Sequence, residues 1–152
     1  MPVEFLTLTP EMDHADSVLG LMRHLYEHDD IVFDAAAARD ALFNLVNKPE
    51  RGIVWLMKDG DVPVGYAVVT FGYSLEFRGV DAFLDELYIS ASHRGQGLGR
   101  RAIELAEEHC RARGVQSLHL EVERSNTDAQ AVYRKLGFHD HDRYLLTKWI
   151  SR

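Results

Sequence analysis

The pattern of apolar and polar positions along the 152 residues predicts an alternation of strands and helices. Segments in which apolar and polar residues alternate indicate strands, and apolar residues three or four positions apart indicate helices. The predicted elements are, in order, a strand over residues 3–8, a helix from 9–13 to 28, a helix over 34–46, strands over 53–57, 63–73 and 82–89, a helix over 98–113, a strand over 116–122, a helix over 128–136 and two strands within 138–149. The order is β-α-α-β-β-β-α-β-α-β-β, with the first strand at an edge of a sheet.

Capping and turn residues support several of these boundaries. Asp34 can cap the second helix, and Gly52 lies just beyond its end. The pair Asp59-Gly60 suits the turn of a hairpin between the two strands that flank it. Gly114 follows the longest helix, at the position where a glycine in the left-handed conformation commonly closes a helix.

The most informative segment is Arg94-Gly-Gln-Gly-Leu-Gly-Arg100, which lies between a predicted strand and a predicted helix. Its alternate glycines allow a tight turn and a close approach of the backbone to a ligand. The following helix presents free N–H groups and the positive end of its dipole to that turn, and this arrangement binds phosphate. Arg94 and Arg100 add positive charge. The segment therefore predicts a site for a pyrophosphate-bearing ligand.

Several phosphate motifs compete for this segment. A P-loop requires Lys followed by Ser or Thr after its last glycine, whereas Arg100 and Arg101 stand there. Residues 97–102 match the dinucleotide fingerprint, with Glu121 about where a ribose-binding carboxylate belongs. However, about seven residues separate the preceding strand from that motif, and only 30 residues follow Val122, too few for the second half of a dinucleotide fold. A coenzyme A loop and a glycine-rich connector without a ligand remain as interpretations.

Separated segments then point to one family. They are Leu87-Tyr-Ile89 followed by Arg94-x-x-Gly97-x-Gly99, then Leu118-His-Leu-Glu-Val122, then Asn126 with Ala131-Val-Tyr-Arg-Lys-Leu-Gly-Phe138. In order and spacing they resemble the GNAT superfamily of acetyl-CoA-dependent N-acetyltransferases. The resemblance covers roughly residues 53–150, and the first 50 residues fit only in pattern. Ala91 departs from the proline of many members, which alters the stiffness of the loop and not the chemistry.

The resemblance implies a fold. The element order is that of the superfamily, and it implies an α/β (α+β) three-layer architecture. The sheet is expected to be mixed and mostly antiparallel, with helices on both faces and parallel central strands around the glycine loop. The length suits a single N-acetyltransferase domain over residues 1–152, with a substantial core.

The resemblance also implies how acetyl-CoA is bound. Backbone N–H groups of the loop are expected to hold the pyrophosphate, and the strand before it offers main-chain groups to the pantetheine arm. The N–H of Ile89 matches the group that faces the thioester oxygen, an oxyanion-type stabilisation. Asn126 matches a residue that contacts the pantetheine arm, although it is also placed to cap the helix that follows. The expected cofactor-binding residues are Leu87, Tyr88, Ile89, Arg94, Gly95, Gln96, Gly97, Leu98, Gly99, Arg100 and Asn126.

Two residues are candidates for proton transfer. Tyr133 matches the tyrosine that many members place near the sulfur, where a phenol can protonate the departing thiolate. Its alternative is an aromatic core residue. Glu86 is the candidate base, because along a strand Glu86 and Tyr88 share one face while Asp85, Leu87 and Ile89 share the other. Its alternative is a solvated charge at the end of a strand.

Further carboxylates are candidates for holding the amine acceptor. Glu76 is a second possible base or an amine anchor, and Glu27 and Asp29 end the first helix in a region that overhangs the acceptor side in this family. Ordinary surface charge is the alternative. We therefore expect a direct transfer, in a ternary complex, to a primary amine that is a small cation. The acceptor itself and the choice between Glu86, Glu76 and water as base stay open, and a non-catalytic acyl-CoA-binding sensor or scaffold is the rival function.

Composition narrows the partners. The net charge of −7 argues against nucleic acid and anionic membranes, and no apolar run approaches the ~20 residues of a membrane span. The single cysteine, Cys110, falls on the apolar face of its helix, which predicts a buried, inert thiol and fits a reducing cytoplasm. His24 and His28 lack a third ligand at a fixed spacing, so no metal is expected. A homodimer is possible, as family members often dimerise.

Overall fold

The computed structural model describes residues 2–151, which divide into two compact units, the first ending at Glu121 and the second beginning at Val122. The first unit contains β1 (Glu4–Thr7), α1 (Ala15–His28), α2 (Ala35–Val46), β2 (Gly52–Asp59), β3 (Val62–Ser74), β4 (Gly79–Ile89), a 3₁₀ turn (Ala91–His93), α3 (Leu98–Ala112) and β5 (Leu118–His119). The second unit contains α4 (Thr127–Lys135).

The five strands form one sheet in the order β1-β2-β3-β4-β5. The first four strands are an antiparallel meander, and β5 returns through α3 to lie parallel to β4. The expected mixed, mostly antiparallel sheet with β1 at its edge is therefore confirmed. The parallel pair lies at the other edge of this sheet and not at its centre.

Helices cover both faces of the sheet, as expected. The helices α1 and α2 bury Val18, Leu21, Met22, Leu42 and Val46 in one core with the strand residues Val54, Leu56, Tyr66 and Val68. On the other face α3 buries its apolar stripe of Leu98, Ala102, Ile103, Ala106 and Cys110. This arrangement follows from the sequence, since each helix has one apolar stripe that only a sheet face can cover.

Two of the expected helix ends, at Asp34 and at Gly114, are observed, whereas α1 begins at Ala15 and Gly52 is the first residue of β2. Asp34 caps α2, because its carboxylate accepts a hydrogen bond of 3.1 Å from the N–H of Ala37. Gly114 closes α3 with a φ of 73°, a left-handed conformation that glycine adopts without a steric cost. The N–H groups of Gly114 and Val115 donate to the carbonyls of Arg111 and Cys110. That pairing satisfies the last carbonyls of the helix.

A β-bulge interrupts the pairing of β3 with β4. Val68 is opposite Glu86 and Val69 is opposite Leu84, so Asp85 is an extra residue in β4. Bulges bend a strand and redirect its side chains, and they are frequent beside active sites. The sequence analysis did not predict this bulge, since nothing in the local pattern distinguishes it from a regular strand.

Three boundaries of the predicted strands are wrong. The strand predicted over 116–122 is reduced to Leu118–His119, whereas β4 begins three residues earlier than predicted, at Gly79. No strand is formed between residues 138 and 151, where a final pair was predicted. That prediction rested on the apolar residues of this segment. A strand also needs a second strand to receive its backbone hydrogen bonds. The second unit has no strand among its described residues. The side chains concerned are at least 72% exposed, namely Tyr144, Leu145, Leu146, Trp149 and Ile150.

Candidate active site

The glycine loop has the shape expected of a phosphate-binding turn. Gly95 and Gly97 have φ values of 75° and 82°, which glycine adopts far more readily than other residues. Gly97 is the N-cap of α3 and offers no side chain to the first turn. The N–H groups of that first turn have no partner within the helix, so they point towards the loop as hydrogen-bond donors. Main-chain donors at a helix N-terminus fit a pyrophosphate.

The two arginines of the loop are partly engaged within the protein. Arg94 donates from Nε to the carbonyl of Ile89 at 2.8 Å, and its guanidinium lies 5.8 Å from the centre of the Tyr88 ring. Arg100 donates to Glu104, one turn further along α3, at 3.0 Å. Gln96 donates to the carbonyl of Ser92 at 3.4 Å. For a phosphate at this loop the backbone N–H groups would therefore be the principal donors, with the arginines as supporting charges.

A chain of hydrogen bonds connects the start of this loop to the hairpin of β2 and β3. The Nε2 of His93 lies 2.8 Å from Oδ2 of Asp59, and its Nδ1 lies 2.8 Å from Oγ of Ser92. The carboxylate can only accept, so Nε2 of His93 donates to Asp59. Sequence reasoning missed this chain, because 34 residues separate its two ends and neither belongs to a recognisable motif.

Among the strands of residues 2–151, only β3 pairs with the last residues of β4. The pairing of β5 with β4 stops at Phe83, whereas β3 remains paired with β4 as far as Ile89. The N–H of Ser90 donates to Val64 of β3 at 2.8 Å. Successive N–H groups along a strand point to opposite edges, so the N–H of Ile89 faces away from β3. This N–H and its neighbours are placed as main-chain partners for an extended arm.

From Glu86 to Ile89 the faces of β4 agree with the predicted alternation, which the bulge interrupts at Asp85. A methyl group built on Gly99 of α3 would lie 3.7 Å from Ile89 and 3.9 Å from Leu87, so these two side chains face α3. On the opposite face Glu86 contacts α1, and Tyr88 stacks on His24 of α1 with 6.4 Å between ring centres. Glu86 and Leu87 therefore project towards different layers of the fold.

Glu86 is held by two tyrosines from different elements. Oη of Tyr26, on α1, donates to Oε2 of Glu86 at 2.6 Å. Oη of Tyr66, on β3, donates to Oε1 at 2.7 Å. Each carboxylate oxygen therefore accepts one hydrogen bond from a phenol. This pair of donors was not identified from the sequence, because the tyrosines lie 60 and 20 residues before Glu86 and both follow the apolar pattern of their own elements.

The surroundings of Glu86 favour a base that titrates above the ordinary range of a carboxylic acid. Burial raises the pKa of Glu86, and the two phenol hydrogen bonds oppose that rise. The negative charges of Asp85 and Asp29 raise the pKa of Glu86 further. Burial and the nearby Glu86 charge also raise the pKa of Tyr26 and of Tyr66, so both phenols stay protonated at neutral pH. A partly buried carboxylate with a raised pKa is typical of a general base.

The expected acceptor carboxylates are distributed unevenly. Asp29 follows α1 and acts electrostatically on Glu86, and Glu27 is exposed in the last turn of α1, next to Tyr26. Glu76 lies in the turn between β3 and β4. The seven residue steps from Gly79 to Glu86 correspond to roughly 23 Å along β4 at ~3.3 Å per residue. The structure therefore brings Asp29 close enough to act on Glu86, places Glu27 only beside Tyr26 in the chain, and leaves Glu76 at the far end of β4.

The second unit contains the other two predicted residues. Asn126 caps α4 by accepting a hydrogen bond of 3.2 Å from the N–H of Ala129, so the capping interpretation holds. Its amide group retains two donors that this bond does not use. Tyr133 lies in α4 with its ring centre 6.0 Å from that of Phe138. Partial burial raises the pKa of Tyr133, which keeps its phenol protonated and able to donate.

Cys110 was predicted from the sequence to be a buried, inert thiol. Cys110 is buried in α3 and is a free thiol, and burial raises its pKa, so the reactive thiolate is disfavoured. Within residues 2–151, no three His, Cys, Asp or Glu side chains are grouped so that they could hold a metal ion. In the same range there is no helix of the length and hydropathy needed to cross a membrane.

A glycine turn at the N-terminus of α3, a strand edge before it and a phenol-bound carboxylate are features that a site for acyl transfer from coenzyme A would use. The model of the acetyltransferase (GNAT) family matches residues 19–138, and the chain belongs to this family. It is thus an N-acetyltransferase of the kind that uses acetyl-CoA, as the sequence resemblance predicted.

Relatives of similar sequence are also named as N-acetyltransferases. A Bacillus subtilis protein described as a candidate alanine N-acetyltransferase for ribosomal protein bS18 is 30% identical over 115 residues, which are 75% of this chain and 72% of that protein. The thialysine N-epsilon-acetyltransferase of Bos taurus is 33% identical over 81 residues, 53% of this chain and 47% of that enzyme. The chain thus spans only about half of the second relative.

Solved structures confirm the fold. An integron cassette protein from the mobile metagenome of Cole Harbour Salt Marsh superposes with a TM-score of 0.83 at 29% identity, covering 97% of this chain and 91% of that one. An aminoglycoside N-acetyltransferase in complex with CoA superposes with a TM-score of 0.82, covering 99% of this chain and 96% of that one. Its identity of 16% supports the fold alone.

Proposed function

We propose that this protein transfers the acetyl group of acetyl-CoA to a primary amine by direct attack in a ternary complex, and that the amine is a small cation. The observation that carries the proposal is Glu86. It is a partly buried carboxylate with two phenol donors, on the face of β4 opposite the one that packs on α3. A structural ion pair would bring a cation to it, whereas its hydrogen-bond partners are neutral phenols.

Acetyl-CoA, when bound, supplies the activated acetyl group as a thioester. The N–H groups of residues 95–99 and of the first turn of α3 would hold its pyrophosphate. The edge of β4 that faces away from β3 would bind the pantetheine arm, with Asn126 as a further polar contact. The N–H of Ile89 would donate to the thioester oxygen as negative charge develops there. These groups are preorganised, because β3 and α3 fix the backbone of β4 from the side opposite that edge and from one face.

Proton transfers complete the proposed reaction. An alkylammonium has a pKa of about 10 and must lose a proton before it can attack, so a base with a raised pKa is required near neutral pH. Glu86 takes this role. Tyr133, a protonated phenol, donates to the sulfur of the departing thiolate, and the second proton that the nitrogen loses as the amide forms restores the phenol. No acyl-enzyme is formed, because the one cysteine is buried and its thiolate is disfavoured.

The class of acceptor rests on charge. The charge of Asp29 acts on Glu86, and Glu27 follows Tyr26 in the last turn of α1, so both would add negative charge near the proposed base. Relatives are named for thialysine and, in Streptomyces lavendulae, for streptothricin, which fits acceptors that carry amines. The bS18 relative is named for a protein alanine, so a peptide N-terminus is the competing acceptor. Glu76 stays a prediction as an anchor for a larger acceptor.

The test is release of free CoA from acetyl-CoA with a panel of polyamines, lysine analogues, aminoglycosides and peptides that begin with alanine. Glu86→Gln keeps the size of the side chain and removes the base. We expect kcat to fall by about 10²- to 10⁴-fold near neutral pH and by less at high pH, where more amine is uncharged. The matched control is Glu108→Gln on the exposed face of α3, which should leave turnover unchanged. Activity of Glu86→Gln equal to that of the wild type would remove Glu86 as the base.

Salt tests the acceptor class separately. Attraction between a cationic amine and partly exposed carboxylates is screened over about 8–10 Å at physiological ionic strength, so KM should rise with salt for a cationic acceptor. Turnover of neutral and dicationic amines with equal KM and no salt dependence would reject the cationic class. A preference for peptides would replace it with a protein N-terminus.

A further inference from the structure

We propose that Tyr26 is a catalytic residue that carries the amine proton to Glu86, while Tyr66 is a positioning residue that fixes the carboxylate. This inference rests on the proposed function, because it gives the route by which the proposed base receives its proton. Both tyrosines donate to the same carboxylate. They differ in whether a substrate can reach their hydroxyl oxygens.

The two hydroxyls differ in access. Tyr66 has no exposed surface and lies in the core under α1 and α2, so its oxygen is out of reach of a substrate. Tyr26 is only partly buried, in the last turn of α1. The single proton of each phenol is committed to Glu86, so each oxygen can act towards other groups only as an acceptor. Of the two residues only Tyr26 has exposed surface, so the proposal places the incoming amine at the oxygen of Tyr26.

The ring of Tyr26 is held in place for this role. Phe33, in the segment between α1 and α2, contacts it edge-on with 5.5 Å between ring centres. Phe33 in turn packs against the guanidinium of Arg23, which lies 4.8 Å from the centre of the Phe33 ring. Packing of the ring therefore fixes the hydroxyl of Tyr26, which donates to Oε2 of Glu86 at 2.6 Å. A fixed donor and acceptor are what a proton relay needs.

The step balances without any further reactant. The N–H bond of the ammonium breaks, and its proton forms a new O–H bond at Oη of Tyr26. The original phenol proton moves at the same time to Oε2 of Glu86. The amine keeps the electron pair with which it attacks the thioester. Tyrosine is restored, glutamate becomes glutamic acid, and nothing is oxidised or reduced. Glu86 later returns its proton to solvent.

Concerted transfer is required by the surroundings. Burial and the charge of Glu86 raise the pKa of Tyr26, so a free tyrosinate is disfavoured and the two protons must move together. The other ionisable groups near this carboxylate are Asp85 on β4 and Asp29 after α1, whose charges act on Glu86. His24 on α1 and Tyr88 on β4 stack on each other beside it.

The experiment compares Tyr26→Phe with Tyr66→Phe. Each variant removes one hydrogen bond that lowers the pKa of Glu86, so each should shift the acidic limb of the kcat/KM profile to higher pH. Only Tyr26→Phe removes the relay, so only its kcat should fall, by about 10²-fold, on the plateau between the acidic limb and the pH at which the amine itself loses its proton. Tyr66→Phe should recover nearly the plateau value of the wild type. Equal plateau values for the two variants would overturn the relay.

A second measurement does not depend on folding of the Tyr66 variant. In mixtures of H₂O and D₂O, single-turnover rates of the wild type should depend on the deuterium fraction with the curvature of two protons in motion. A linear dependence would indicate direct transfer to Glu86 and would overturn the relay. The outcome for Glu86→Gln separates the two proposals. If that variant is inactive while Tyr26→Phe behaves like Tyr66→Phe, the base stands and the relay fails. If Glu86→Gln is fully active, both fail.

Discussion

Replacement of Gly97 by alanine isolates the contribution of the glycine loop to cofactor binding. Gly97 has a φ of 82° and a ψ of 10° at the N-cap of α3. A methyl group built there meets no protein atom within 4 Å, so the substitution causes no clash inside the protein. Its effects are therefore limited to backbone strain and to a methyl group on the surface of the loop that would face the pyrophosphate.

The strain can be matched by a control. Gly114 has a φ of 73° and equally open surroundings, but it lies at the other end of α3, about 22 Å away at ~1.5 Å per residue. A left-handed conformation costs a residue with a Cβ about 1–2 kcal/mol. Gly97→Ala and Gly114→Ala should therefore each lower Tm by about 2–8 °C, at about 2–4 °C per kcal/mol for a chain of this size. Both variants should stay folded at 25 °C, since domains usually have about 5–15 kcal/mol of stability.

Binding should distinguish the two variants. A hydrogen bond from a backbone N–H to a charged phosphate contributes about 1.5–3 kcal/mol. Loss of one such bond in Gly97→Ala corresponds to a rise of about 10- to 150-fold in the Kd of acetyl-CoA, at about 1.4 kcal/mol per tenfold. Gly114→Ala should bind as the wild type does. Isothermal titration calorimetry on samples of known Tm measures both. A folded Gly97→Ala with the wild-type Kd, or an equal loss in Gly114→Ala, would refute the assignment of this loop to the pyrophosphate.

Two other predictions concern residues that the reaction uses differently. Tyr133→Phe should lower kcat at least about tenfold with little change in the Kd of acetyl-CoA, because it keeps the ring and removes the acid. Rapid-mixing rates would show this, and an unchanged chemical step would leave Tyr133 as a packing partner of Phe138. His93→Ala removes the link from Asp59 to the loop, and one lost hydrogen bond of about 0.5–1.5 kcal/mol should raise the Kd of acetyl-CoA about two- to tenfold at unchanged saturating kcat. An unchanged Kd in calorimetry would show that the loop keeps its shape without this chain.

The sequence determined the features that depend on neighbouring residues. The cap at Asp34 and the closure at Gly114 involve groups a few residues apart, so the chemistry of one short segment specifies them. The same holds for the glycine loop, whose turn needs glycine at particular positions and a helix directly after it. The two faces of β4 followed from the period of two along a strand, which separates Glu86 from Leu87 whatever lies opposite them.

Only the tertiary structure decided which side chains contact one another in the site. The two phenols on Glu86 come from 60 and 20 residues away, and Asp59 reaches His93 across 34 residues. The sequence shows all these residues but not that the chain brings them together, because contacts over such distances depend on how whole elements pack. The predicted strands within 138–149 failed for the same reason. Apolar residues favour a strand, but hydrogen bonds to a second strand make one, and that partner is a property of the fold.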